Sequence, residues 1–147
     1  MRVQITRCRP VDVAEWVALR HALWPNGTVE TLAREARELL DRDRAAAFIV
    51  RDGAEAIAFA EAYLRDFANG CESSPVAFVE GLYVVPKWRG RGIARKLCEA
   101  IEGWARERGC TELGSDVLLN NRDSQNAHLA LGFQETERVV YYRKPLD

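Results

Sequence analysis

The sequence lacks several features, and each absence removes a class of function. No apolar run approaches the roughly 20 residues needed to span a bilayer, and the polar opening MRVQITRCRP has no signal-peptide core. A cytoplasmic protein without a membrane partner is therefore expected. Charge of one sign is also missing: 21 basic and 22 acidic side chains leave a net charge of −1, so the general attraction of a basic domain for nucleic acid is absent. The four cysteines, Cys8, Cys71, Cys98 and Cys110, include no Cys-x-x-Cys pair. That argues against a zinc site and a disulfide framework alike, so they are read as reduced packing residues, with no metal expected. No repeat or low-complexity segment interrupts the chain.

What is present is an ordinary core. With 147 residues and 48% hydrophobic content, the span 1–147 is expected to form a single domain. VQITRC alternates as a first strand, and VDVAEWVALRHALW then reads as a helix with Val13, Trp16, Val17 and Leu23 on one side. Asp12 and Glu15 resemble a capping box for it. After WPNGT, Thr28 opens a second helix in which Leu32, Ala36, Leu39 and Leu40 recur at helical spacing. Asp52-Gly53 between two apolar runs predicts a hairpin, and FANGCESSP a loop.

VAFVEGLYVV follows, apolar on both alternating faces except at Glu80, as in a central strand covered on each side. Pro86 ends it. Ile93, Leu97, Ile101 and Trp104 form the stripe of a helix that stops at Gly109. TELGSDVLL predicts a strand, NNRDSQNAHLALG a short helix closed by Gly132, and FQETERVVYYRK a last alternating strand. The fold class is α+β: a mixed, mostly antiparallel twisted sheet flanked by helices, with one strand, helix, strand crossover.

The segment KWRGRGIARK asks what must come close to its turn. A helix N-terminus presents unpaired N–H groups and the positive end of the macrodipole, and Gly90 and Gly92 would let an anion lie against the main chain. Arg89, Arg91, Arg95 and Lys96 add cationic groups, and arginine can hold phosphate oxygens in a bidentate way. A pyrophosphate suits this turn. It is neither a P-loop, since Gly-Lys-Ser/Thr is absent, nor a dinucleotide fingerprint, whose third glycine is replaced by Arg95.

The run Arg89-Gly90-Arg91-Gly92-Ile93-Ala94 fits Arg-x-x-Gly-x-Ala and follows a strand ending in LYVVP. It resembles the pyrophosphate loop of the GNAT superfamily of N-acetyltransferases, which implies the GNAT fold and acetyl-CoA as co-substrate. The resemblance also implies a bulge in the preceding strand and a cleft beside it, with Leu82, Tyr83 and Val84 near the cofactor and a backbone amide there polarising the thioester carbonyl. Asn121 matches a position that reaches coenzyme A, although Asn121 and Ser124 would equally serve as helix caps. Where many members carry a tyrosine that protonates the departing thiolate, this sequence has His128, either an acid or a packing residue.

ALRHALWPNG, NGCESSPVAFVEGLYVVP, GSDVLLNN and HLALGFQETERVVYYRK together resemble the aminoglycoside 6′-N-acetyltransferases of the short chromosomal type. That likeness implies acetylation of an aminoglycoside 6′-amine, a role in antibiotic resistance and a homodimer. It implies that Trp24, Glu80, Asp116 and Glu137 meet the antibiotic in an electronegative cleft. Chemically this is sensible, because a polycationic sugar needs carboxylates. Each residue also has a plainer reading: a core aromatic for Trp24, an internal salt bridge for Glu80, a solvated edge charge for Glu137. Phe67 stands where relatives carry a tyrosine, and Gly27 where a histidine lies after the Trp-Pro turn, which bears on drug range rather than on the reaction.

An ammonium must lose a proton before it attacks, so Glu80 or Asp116, directly or through water, is expected to act as base, with direct attack in a ternary complex. The competing readings keep the fold and change the acceptor to another small amine, a polyamine or a peptide N-terminus, or make the protein a noncatalytic acyl-CoA sensor.

Overall fold

A computed structural model describes residues 2–147. Five strands, β1 (Val3–Arg7), β2 (Ala45–Asp52), β3 (Glu55–Arg65), β4 (Val76–Val84) and β5 (Leu113–Gly114), form one sheet in the order β1-β2-β3-β4-β5. The first three contacts are antiparallel. β4 and β5 are parallel, joined by the long helix α3 (Ile93–Glu107) as the expected crossover.

Alternation along the central strands divides the core in two. Ala46, Phe48 and Val50 of β2, with Ala58, Ala60 and Ala62 of β3, face α3, which supplies Ile93, Leu97, Ile101 and Trp104. The alanines keep that face shallow, so the larger helix side chains can approach the sheet. Ala45, Ala47, Ile49 and Phe59 face the other way, against α1 (Val13–Leu23) and α2 (Val29–Leu40), which contribute Trp16, Val17, Leu19, Leu32, Ala36 and Leu39.

Thr28 caps α2 as expected, its Oγ1 accepting from the Thr31 N–H at 3.1 Å. The first helix starts differently. Asp12 lies in a short 3₁₀ turn, Pro10–Asp12, where its Oδ2 accepts the Arg9 N–H at 2.9 Å and its Oδ1 holds Arg51 of β2 at 2.8 Å. Glu15 grips the same guanidinium at 2.8 Å. These acids therefore tie the start of α1 to the sheet instead of forming the expected capping box.

Burial alone would raise the Asp12 pKa, but the Arg51 hydrogen bond, the Arg9 N–H and both guanidinium charges outweigh it and lower the pKa below the usual carboxylate value. Because the folded pKa is the lower one, the stabilisation is complete above the unfolded value, about 3.9, and is lost as pH falls through the folded value. We expect Asp12→Asn to be less stable than the parent at pH 7 and to lose less on acidification below pH ~4, read from urea midpoints across pH.

The hairpin forms one residue later than the sequence suggests. Asp52 pairs with Glu55, leaving Gly53, at φ 61°, and Ala54 as the turn. The larger difference is at the C-terminus. The TELGSDVLL strand contracts to two residues, β5, and after α4 (Arg122–Ala130) residues 133–147 form neither strand nor helix. Strand character needs a ladder partner as well as alternation. Val139, Val140, Tyr141, Tyr142 and Leu146 are all exposed, the last two at 91% and 88%.

Candidate active site

β4 and β5 hydrogen-bond only at Ala77–Leu113 and Phe78–Gly114, and beyond Phe78 the β5 side of β4 is open. On its other side β4 carries a bulge: Ala62 opposes Val79 and Glu61 opposes Gly81, leaving Glu80 as the extra residue. The insertion shifts the phase of the strand. The Val85 N–H bonds Ile57 of β3, so by alternation the N–H groups of Leu82 and Val84 face the open gap, while that of Tyr83 faces β3. Without the extra residue the parity would be reversed. The bulge thus supplies unpaired main-chain donors in the gap between β4 and β5.

The glycine turn lies at the end of the same strand. Gly90 (φ 77°) and Gly92 (φ 80°) occupy the left-handed region, and Gly92 is the N-cap of α3. A Cβ at either position would meet no protein atom within 4 Å, so both glycines border open space. The arginines are less free than the sequence suggests. Arg89 donates from Nε to the Val84 carbonyl at 2.8 Å, Arg91 lies over the Trp88 ring at 4.7 Å, and Arg95 reaches the Ala130 carbonyl at 2.7 Å. Ile93 is buried in the α3 core and Ala94 packs beside it. Turn, strand edge and α4 are thereby fixed relative to one another around a site suited to a diphosphate.

Asn121 caps α4, its Oδ1 accepting from the Ser124 N–H at 3.1 Å. His128 is tethered at both nitrogens. Nδ1 lies 2.6 Å from the Ser124 carbonyl, which can only accept, so Nδ1 carries a proton, and Nε2 lies 2.7 Å from the Ser115 hydroxyl. The imidazole also packs edge-on to Phe133 at 5.2 Å. This ring joins α4 to the end of β5. We expect His128→Ala to lower Tm while leaving the pH dependence of kcat unchanged; loss of the alkaline limb would instead assign it a proton-transfer role.

On the α1/α2 side of the bulge lies a cleft of about 610 Å³, with Trp24, Glu80, Glu35, Arg42, Tyr63 and Glu61 in its wall. Trp24 is held edge-on to Phe59 at 6.0 Å and under the Arg20 guanidinium at 4.9 Å. Gly81 makes room for it, since a Cβ there would lie 2.7 Å from the indole. Glu61 is 1% exposed and accepts from Trp16 Nε1 at 2.9 Å and from Arg20 at 2.7 and 3.1 Å. Arg20 also donates to the Leu32 carbonyl at 2.9 Å and lies 3.6 Å from Glu35.

Sequence reasoning missed this network, although Glu61 interrupts the apolar run of β3 much as Glu80 interrupts β4. Glu80 is the milder interruption: it is exposed at the bulge and paired with Arg65 at 2.5 Å. Glu61 and Glu80 each already pair with an arginine, so the cleft offers less free negative charge than its carboxylates alone suggest. Gly27 packs over Leu32 near Trp24. Asp116, Phe67 and Glu137 are exposed and lie outside the lining of this cleft. Asp116 is two residues beyond β5, and Glu137 is in the segment that forms no strand.

The profile of the acetyltransferase (GNAT) family matches residues 16–133. The chain belongs to this family. An aminoglycoside N(6′)-acetyltransferase type 1 of Serratia marcescens is 50% identical over 97% of this chain and 99% of its own length, and one of Salmonella typhimurium is 45% identical over the same shares. The solved structure of AAC(6′)-Iy with the bisubstrate analog CoA-S-monomethyl-acetylneamine superimposes with a TM-score of 0.95 at 40% identity, over 99% of this chain and 100% of that one.

As a GNAT acetyltransferase the chain has the expected α+β fold and an acetyl-CoA-dependent transfer chemistry. All four cysteines are free. Burial raises each thiol, Cys98 to about 11 and Cys8 further, which suppresses the nucleophilic thiolate at neutral pH.

Proposed function

We propose that this acetyltransferase moves the acetyl group of acetyl-CoA to the 6′-amine of aminoglycoside antibiotics, conferring resistance, by direct attack in a ternary complex. The observation that carries this reading is the bulge at Glu80. It opens N–H donors toward a phosphate-binding turn on one side and presents a carboxylate to the Trp24 cleft on the other. Relatives named for the same reaction match the chain along nearly its full length.

Acetyl-CoA supplies the activated acetyl group. The main chain of Arg89, Gly90, Arg91, Gly92, Ile93, Ala94 and Arg95 holds the diphosphate end, with Asn121 from α4. Leu82 and Val84 direct N–H groups into the gap where the thioester carbonyl develops negative charge, and Tyr83, on the opposite face, anchors the strand against the α1/α2 core. Trp24 offers an apolar face to a sugar ring, Glu80 and Asp116 receive ammonium groups, and Gly27, Phe67 and Glu137 border the drug. Either carboxylate, directly or through water, takes the amine proton. The nitrogen then attacks the thioester carbon, the C–S bond breaks, and the thiolate takes a proton from water because His128 is committed to its tethers.

The span 1–147 acts as one domain, and two copies form a dimer. The support for pairing is the run of exposed Val139, Val140, Tyr141 and Tyr142, beside a sheet whose last strand is two residues long. Among the described residues no helix is long and apolar enough to cross a membrane. The working location is the cytoplasm, where thiols such as Cys71 stay reduced.

Release of coenzyme A thiol with kanamycin or tobramycin as acceptor tests the reaction. Turnover with these and not with spermidine or a peptide amine is expected. The reverse preference would reassign the acceptor, and no turnover with any amine would leave only an acyl-CoA binding protein.

A further inference from the structure

Glu80 is already occupied by a cation of this protein. Arg65, at the end of β3, donates from Nη2 to Glu80 Oε1 at 2.5 Å. Its guanidinium also lies 3.6 Å from the centroid of the Phe78 ring, two residues before Glu80 on β4. Both partners are accessible, with Arg65 39% and Glu80 31% exposed, so exchange of the contact needs no opening of the core.

The surroundings do not supply a spare carboxylate at that point. Glu61 is bonded to Arg20 and Trp16, and Glu35 on α2 faces the Arg20 guanidinium. Arg42, before β2, adds positive charge over Tyr63. An incoming ammonium therefore meets a carboxylate neutralised by an arginine.

We infer that Arg65 is a placeholder cation. It holds the Glu80 carboxylate in the empty cleft, and the acceptor's ammonium displaces it, so that Arg65 sets acceptor affinity by competing for the same oxygen. This rests on Glu80 being an acceptor contact, as proposed above. Phe78 supports the exchange, since the guanidinium can keep its aromatic contact after its Nη2 leaves the carboxylate. The competition is modest because the pair is exposed and screened by solvent.

The test is calorimetric binding of tobramycin to the full chain in the presence of coenzyme A, which requires no turnover. Arg65→Met keeps an apolar stem over Phe78 and removes the charge. It is expected to lower Kd about two- to fivefold, the range for releasing an exposed ion pair. Glu80→Gln is expected to raise Kd, and adding Arg65→Met to Glu80→Gln should change nothing further. An unchanged or raised Kd in Arg65→Met, with Glu80→Gln still weakening binding, would overturn the placeholder while leaving Glu80 as an acceptor contact. Tighter binding from Arg65→Met in the Glu80→Gln background would also overturn it, as a general charge effect. Wild-type affinity in Glu80→Gln would remove the acceptor role of Glu80, and this inference with it.

Discussion

Glu61→Ala is expected to lower the unfolding free energy by about 3–5 kcal/mol, with a fall in Tm on the order of 10 °C. The carboxylate is 1% exposed and Arg20 4%, so each partner depends on the other rather than on solvent in the folded chain. Truncation leaves the guanidinium with the Leu32 carbonyl, the Trp24 ring and the half-exposed Glu35 at 3.6 Å, and strips the Trp16 indole N–H of its acceptor. The opposing Coulomb and hydrogen-bond terms are visible in Arg20: burial alone would lower its pKa, yet the bonds to Glu61 and the charges of Glu61 and Glu35 leave it raised. Replacing the pair together, Glu61→Leu with Arg20→Met, should recover most of the loss, because the penalty lies in the stranded charge. Urea unfolding of the single and double variants gives the coupling. A loss below 1 kcal/mol for Glu61→Ala would mean that water reaches the pair.

The second large effect is on the cofactor side. Gly92→Val should raise the KM for acetyl-CoA on the order of 10- to 100-fold. A β-branched residue at φ 80° is strained, and its side chain projects into the open space beside the turn. If the turn relaxes to a negative φ, its N–H groups swing away from a common point; if it does not, the side chain blocks the approach. The KM for the aminoglycoside should move little. Gly103→Ala, in the interior of α3 and also without close neighbours, is the control and should leave both constants near wild type. Equal damage to both substrates by Gly92→Val would indicate collapse of the sheet edge instead.

Much of this architecture was legible because local signals and tertiary packing agree. Thr28, the α2 and α3 stripes and the glycine turn are set by short-range chemistry, and each lies where expected. The last strand failed because FQETERVVYYRK has the right alternation but no ladder to join, which is a property of the rest of the molecule. Asp12 shows a related limit: a first-turn acid is a good cap by local rules, yet Arg51, distant in sequence, claims it.

The Trp24 cleft was legible only in part. Glu80 stood out as a carboxylate in an apolar strand, but the expected cost of burying it does not arise, since the bulge exposes it. Glu61 met the same criterion more fully, within AEAIAFAEAYLR, but its partners lie on a helix more than 40 positions away. The arginines near Glu61 and Glu80 gave no periodic signal, because Arg20 is on α1, Arg42 in the turn before β2 and Arg65 at the end of β3.

The most direct measurement follows an isotope-labelled acetyl group from acetyl-CoA into tobramycin by NMR, using the purified full chain. One labelled acetyl per drug molecule, bonded to the 6′-nitrogen and formed only when both substrates are present, is the predicted result. Label on another nitrogen, or none despite saturating acetyl-CoA, would contradict the account.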